Sequence, residues 1–444
     1  MGMEVRTVVV LAAMWMAVSA AGQPSTPGPI KVEIRNEGGR FRLYRGGAPY
    51  YIKGAVYWTD ATGRFPLKDL AARGGNSIRT GIELRRTLDE AQRLGMTVTI
   101  GLPMKMESVH KFDYSDEQAV RGQFLEMKKL VLEYKDHPAL LMWGIGNELS
   151  VGHLENGVWV PYKNKDVWQA VNDVARMIHE VDPNHPAMTV SGEETGEDLV
   201  EIGRRCADLD LIGINRYKGL EELPAQVRKA GWEKPYVVTE WGPSGDWQVP
   251  RTAWGAAIEE TSTEKAQRYQ ERYQRTMGED TERCLGSYAF IWQWRHERTQ
   301  TWYGMFLESG ERTEAVNVMQ YLWTGHWPAN RAPRIQPPRI ESRTGADNIH
   351  LKPCAAARAE VKADDPDGDR LTFRWEIMLE VARAGYAGRG ERRSKPMPEL
   401  IKRAAGGRLA FVAPGEEGAY RMFVYVFDGN GNGATANVPF YVKR

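Results

Sequence analysis

ALLMWGIGNEL, residues 139–149, is the stretch on which the fold turns. From Ala139 to Gly146 it is apolar or glycine without alternation, and the polar pair Asn147-Glu148 follows at once. A short run of this kind reads as a strand buried on both faces, as in a parallel sheet covered by helices. Seven more stretches repeat the theme: YIKGAVYW (51–58), NSIRTG (76–81), MTVTIGL (96–102), AMTVSG (187–192), LDLIGINRY (209–217), PYVVTEW (235–241) and CLGSYAFIWQW (284–294). Amphipathic runs lie between them, such as 85–94, 116–134, 165–180 and 263–277. Breakers mark the returns at Leu94-Gly95, His137-Pro138, Asp182-Pro183 and Gly231. Eight such units in one series predict an α/β fold closed into a (β/α)₈ TIM barrel. An open doubly wound sheet would show a glycine-rich phosphate turn after its first strand, and none is present there.

The flanks read differently. Residues 328–339 (PANRAPRIQPPR) form a Pro- and Arg-rich linker. Beyond it, LTFRWEIM (371–378), GRLAFVA (407–413) and YRMFVYVF (420–427) alternate like antiparallel strands, separated by DPDGD (365–369) and DGNGNG (428–433). This predicts a small all-β, immunoglobulin-like sandwich over 340–444. At the other end, Arg6 precedes an apolar run from Val8 to Val18, with small residues ahead of Ala21. That pattern reads as an export signal over 1–21, followed by a linker (22–30) and a barrel domain (31–327), and it places the mature protein outside the cytoplasm, secreted or periplasmic. The run is too short to span a bilayer core of about 30 Å, so no stable membrane insertion is expected after cleavage.

Composition narrows the function. The 444 residues carry 59 Lys+Arg and 58 Asp+Glu, a net charge of +1, which excludes a nucleic-acid partner bound through a broad basic surface. Fifteen Trp and eighteen Tyr allow a carbohydrate site without establishing one. Cys206, Cys284 and Cys354 have no zinc spacing; they read as small buried residues, with Cys206–Cys284 as the one candidate disulfide. There is no phosphate loop, dinucleotide turn or zinc set, so neither cofactor nor metal is expected. DPDGD invites a calcium reading, but a plain Asp/Gly turn is the simpler one.

In a barrel of this type chemistry sits at the C-terminal ends of the strands. The polar and aromatic residues expected there are Arg79, Asn147, Glu148, Asn215, Tyr217, Glu240, Trp292 and Trp294. Glu148 and Glu240 stand three units apart at roughly 31 residues per unit, which puts them across the barrel mouth from each other. Two facing carboxyls suit glycosidic cleavage, one protonated to donate to the leaving oxygen and one ionised to attack the anomeric carbon. Arg79 would hold the nucleophile ionised and Tyr217 would hydrogen-bond it. Asn147 would bind the hydroxyl beside the anomeric carbon, and Trp292 or Trp294 would floor the sugar subsite. Glu193, Glu194 and Glu197 read as a solvated acidic loop, and Trp143 as core.

WGIGNEL (143–149), VVTEWGP (237–243) and SIRTG (77–81) resemble glycoside hydrolase clan A, with the nearest likeness to the barrel domain of glycoside hydrolase family 2 over about residues 31–327. The resemblance implies that Glu148 is the acid/base and Glu240 the nucleophile, with Arg79, Asn147 and Tyr217 in supporting places. The N-terminal sandwich domains common in that family are not matched ahead of the barrel, and strand 3 ends in GLPMKM (101–106) without the histidine some members have. The sugar therefore does not carry over. The expected activity is a retaining glycoside hydrolase acting on a β-linked sugar or polysaccharide. A transglycosylase using the same covalent intermediate and a non-catalytic carbohydrate-binding protein are the alternatives, and the presence of both carboxylates argues against the latter.

Overall fold

Eight parallel strands pair in sequence order and close on themselves: Ile52–Val56, Ser77–Thr80, Thr97–Leu102, Leu140–Ile145, Ala187–Ser191, Leu211–Asn215, Tyr236–Trp241 and Cys284–Ala289. The computed structural model describes residues 28–59, 62–155, 158–160, 164–192, 195–381 and 391–444. The expected export signal and most of the first linker lie outside these. Each strand is followed by a helix, from Leu67–Ala72 after the first to Glu314–Thr324 after the last. The helices begin where side chains satisfy free N–H groups. Asp116 accepts from the amides of Gln118 and Ala119 to start Glu117–Tyr134, and Thr261 and Glu264 form a reciprocal box at the head of Ser262–Arg275. Every residue of Leu140–Ile145 is buried, as an unalternating apolar run requires when helices cover one side and side chains fill the other. Among the described residues, no helix is long and apolar enough to cross a membrane.

The lumen is packed solid. The Tyr288 ring lies so close to Gly54 that a Cβ there would sit 2.5 Å from it, which is why the first strand carries glycine at that point. The Tyr288 hydroxyl meets the Ser77 and Thr99 hydroxyls at 3.0 and 2.6 Å. A three-stranded sheet, Val32–Glu37, Arg40–Arg45 and Ala48–Tyr50, stoppers the N-terminal end. Its amides reach the segments that lead into strands 5 and 8 (Val32 N to Asn184 O, 2.8 Å; Phe41 N to Glu282 O, 2.7 Å), and Val32 and Leu43 pack against Leu141, Leu211 and Leu285. The site can therefore open only at the opposite, C-terminal end.

The tail is a two-sheet sandwich. One sheet runs Arg339–Ile340, Ala356–Glu360, Arg408–Val412, Ile401–Ala405, and the other His350–Leu351, Gly433–Val442, Gly418–Phe427, Thr372–Leu379. The residues read as linker are pinned. Arg334–Ile335 pairs with Ala363–Asp364, and the Ala332 amide donates to Asn317 at 2.6 Å. The structure departs from the expected alternation in Gly418–Phe427, which is buried on both faces, as is its partner strand Gly433–Val442. Tyr420, Met422, Val424 and Val426 face the sandwich core, while Phe423 and Tyr425 pack with Leu307 of the barrel.

That second face carries buried charge. Glu259, at 6% exposure, sits 2.5 Å from the Lys265 ammonium and also accepts from Thr299, Thr301 and, across the boundary, Asn437 at 2.6 Å. Arg421 of the sandwich donates to Ala257 O at 2.8 Å and pairs with Glu380. Burial alone would raise the Glu259 carboxyl, but Lys265 and Arg421 outweigh it and hold it below its ordinary 4.5. The expected disulfide does not form. Cys206 and Cys284 are both free and buried at separate places around the barrel, their thiols pushed up to about 12 by burial, with Cys206 Sγ on Trp168 O and Cys284 Sγ on Gly286 O.

Because the Glu259 charge is favoured in the folded state, its contribution is present above pH 4.5 and is lost as pH falls through the lowered value. Glu259→Gln should cost about 3 kcal/mol at neutral pH. Melting temperatures of variant and wild type, taken at neutral pH and again in acid, should converge as the pH drops.

Candidate active site

The carboxyl ends of strands 2, 4, 6 and 7 bring one polar network together. Arg79, buried at 7% exposure, sends Nη1 to Glu240 Oε1 at 2.8 Å and Nη2 to Asn147 Oδ1 at 2.6 Å. Asn215 Nδ2 donates to Glu148 Oε1 at 2.8 Å and to Asn147 Oδ1 at 3.2 Å. Asn215 is itself oriented by the Thr239 hydroxyl, which donates to its Oδ1 at 2.8 Å. The Tyr217 hydroxyl donates to Glu240 Oε2 at 3.1 Å. Glu148 and Glu240 are thus joined through Asn215, Asn147 and Arg79, and each Glu240 oxygen receives a donor. Burial, with the Glu240 charge beside it, holds the Tyr217 phenol well above its ordinary value, so it stays a donor.

The local backbone serves this placement. Past the end of strand 4, Glu148 takes a left-handed conformation, φ 50°, while its amide donates to Val190 O at 2.9 Å. A non-glycine residue held there signals a constraint imposed by its surroundings. Asn147 has both of its acceptor contacts on Oδ1, which leaves its amide N–H₂ as the group that can donate to a ligand hydroxyl.

An aromatic wall flanks the network. Tyr217 makes edge contacts with Phe290, Tyr303 and Trp247 at ring separations of 6.0, 5.8 and 6.0 Å. Trp58 meets Phe290 edge-on, and the Arg295 guanidinium lies 4.6 Å above the Trp58 ring. Arg295 also pairs with a third carboxylate, Glu297, at 2.6 Å. Burial raises the Glu297 carboxyl above its usual range against the pull of Arg295 and Arg298, and the nearby Glu240 charge adds to the rise. Sequence reasoning gave none of Trp58, Trp247, Phe290, Arg295, Glu297 or Tyr303 a role. Asn215, expected at the end of strand 6 but given no role, is the side chain that joins Glu148 to the network. Trp247 had no detectable signal, because its place depends on how the loop after strand 7 folds.

One expected contact is corrected, and a second residue keeps a half-buried ring. Trp292 is fully buried, with its ring against Phe306 and against Trp323 of helix Glu314–Thr324, between the barrel and its outer helices. Trp294 leans on the same core with its indole N–H on Gln300 O at 2.8 Å. The strand expected over 284–294 ends at Ala289, so neither tryptophan is a strand residue. Glu197 is exposed in the first turn of Thr195–Arg205, and Glu193 and Glu194 lie outside the described residues. Far from the mouth, the two Asp/Gly turns of the sandwich meet. Asp365, Asp369 and Asp428 have carboxylate oxygens within 4.8 Å of one another, the group among the described residues whose chemistry suits a hard cation. Asp428 and Asp369 also accept from Asn432 and Asn430, as turn carboxylates do.

A closed parallel barrel with paired carboxylates at the ends of strands 4 and 7 defines the fold class, a TIM barrel with an acidic mouth. The likeness to family 2 is specific: residues 86–274 match the model of glycosyl hydrolases family 2, TIM barrel domain. Solved structures share the fold at low identity. An FMN-binding β-glucuronidase from Facaelibacterium prausnitzii L2-6 superposes with a TM-score of 0.51 at 13% identity, over 93% of this chain and 59% of that one. Bacteroides uniformis β-glucuronidase 2, covalently bound to cyclophellitol-6-carboxylate aziridine, gives 0.51 at 15% identity, over 93% and 48%. A family 2 β-galacturonidase from Eisenbergiella tayi bound to galacturonate gives 0.50 at 18% identity, over 66% and 54%. This chain spans about half the length of these proteins. No curated protein matches it in sequence.

Removing a core tryptophan differs measurably from removing a subsite one. Trp292→Ala should destabilise the protein by about 3–5 kcal/mol through the cavity it leaves. An unchanged melting temperature would instead return the indole to the substrate.

Proposed function

We propose that the protein is a retaining glycoside hydrolase that cleaves a β-linked sugar or polysaccharide by double displacement. The observation that carries this reading is the environment of Glu240, whose two oxygens accept from Arg79 and Tyr217 at 2.8 and 3.1 Å, the setting of a carboxylate held in one orientation across the mouth from Glu148. In the first step a Glu240 oxygen attacks the anomeric carbon while Glu148 gives its proton to the glycosidic oxygen, and the leaving sugar departs as an alcohol. In the second step Glu148, now ionised, takes a proton from water, and that water displaces Glu240 from the same carbon. Two inversions restore the original configuration. The Asn147 amide donates to the hydroxyl beside the anomeric carbon, a contact that strengthens as the oxocarbenium character develops. The apolar run Val8–Val18 supports an extracytoplasmic place of action.

The test is hydrolysis of aryl β-glycosides and β-glucans by the full-length protein, with the product anomer read by NMR. Glu240→Gln should abolish release, and full activity in that variant would overturn the reading. Glu148→Gln should lower kcat by about 10²- to 10⁴-fold on substrates whose leaving group needs a proton. It should lower kcat far less on a dinitrophenyl glycoside, whose phenolate leaves unaided. Tight glycan binding without turnover would point to the binding-protein alternative.

A further inference from the structure

The loop after strand 7 carries an aromatic residue that the two-carboxylate chemistry does not require. Trp247 is 46% exposed, although its ring also contacts that of Tyr217, which touches Glu240. The indole is folded back over Gly245, where a Cβ would stand 2.6 Å from the ring, so only glycine permits this placement. The turn is closed by Gln248 N to Gly245 O at 2.9 Å and by Gly245 N to Gln248 Oε1 at 3.0 Å. A large flat apolar surface is thereby presented at the rim of the site.

Its neighbour Asp246 explains what holds it there. Asp246 is buried at 3% exposure between two guanidiniums, with Arg251 Nη2 at 3.3 Å and Arg298 Nε at 3.2 Å. Arg298 belongs to the loop after strand 8 and has a left-handed backbone, φ 62°. Both its Nη1 and its backbone amide are taken by one carboxylate, Glu391, the amide at 2.7 Å. Glu391 lies between sandwich strands Thr372–Leu379 and Ile401–Ala405, and its side chain is fully buried. Two residues on, Arg393 pairs with Glu308 of the strand-8 loop and with Glu376 of the sandwich. A charge chain therefore runs from the sandwich through Glu391, Arg298 and Asp246 to the loop that presents Trp247.

We propose that Trp247 is the stacking platform of a glycan subsite at the rim of the mouth, and that Glu391 of the sandwich is its positioning residue, acting through Arg298 and Asp246. The ligand is the apolar face of a pyranose ring in an oligosaccharide that extends beyond the bond being cut. The inference rests on reading the mouth as glycan-binding and adds to it a reason for the sandwich to be docked.

The experiment uses the full chain in two arms. In the first, kinetics on cellohexaose and laminarihexaose compare wild type, Trp247→Ala, Trp247→Phe and Glu391→Gln. Trp247→Ala should weaken kcat/KM by about tenfold, a loss carried by KM rather than kcat, with Phe restoring most of it. Glu391→Gln should shift KM in the same direction. It should add little on a Trp247→Ala background, because residues that act as one unit are not additive. A merely structural Glu391 would give additive losses and a lowered kcat, and that result overturns the positioning role. In the second arm, calorimetry measures the same hexasaccharides binding to Glu240→Gln. Trp247-dependent affinity without wild-type hydrolysis would sink the hydrolase reading and leave the platform standing. Hydrolysis with Trp247-independent affinity would do the reverse, and no binding in either arm overturns both.

Discussion

A guanidinium buried at the mouth of the barrel sets the terms for everything around it. Arg79 sits on strand 2 and is buried, and a cation there is costly unless it is paired and fully hydrogen-bonded. Its partners come from strands 4 and 7, the two that carry the carboxylates. Only a planar fork reaches both at once; a lysine would supply one point charge. The same side chain that needs the barrel closed in this register therefore fixes Asn147 and Glu240 relative to each other. Fold and site share one requirement.

How much of this was legible in the sequence follows the range of the forces involved. The eight strands could be read because each is a local pattern, an apolar run ended by a breaker. Glu148, Glu240, Arg79, Asn147 and Tyr217 could be placed because strand ends in a barrel converge whatever the loops do, and the structure brings these five into one network. Trp292 lies beyond the reach of strand patterning, because the chain leaves the sheet at Ala289 and the mostly apolar run 290–294 continues without it. The double burial of Gly418–Phe427 was hidden for a related reason: alternation reveals a core side, but the outer side met the barrel, and no local pattern announces a docking partner. The proposed disulfide came from counting, with no information on where the two sulfurs lie. Trp247 and Glu391 owe their places to a loop and a domain contact, both outside the reach of periodicity.

The boundary between barrel and sandwich is unusual for carrying ionised groups in its interior. Glu259, Lys265 and Arg421 are each nearly inaccessible, and their hydrogen bonds are shared by both halves. Apolar contacts such as Leu307 against Phe423 and Tyr425 tolerate small slides, whereas directional contacts between buried charges do not. The geometry at the barrel mouth thus inherits the rigidity of a contact some distance away.

The pinned stretch 328–339 makes the sandwich a poor candidate for exchange between proteins. A segment with that composition looks like a place where genes could be spliced to trade one module for another. A chimera joined there would keep Glu259 and Lys265 and lose Asn437, or keep Arg421 and lose Ala257, leaving a dry polar face opposite a stranger's surface. Lineages that carry this barrel are therefore expected to inherit the sandwich with it, the two halves diverging as one unit despite the seam that the prolines draw between them.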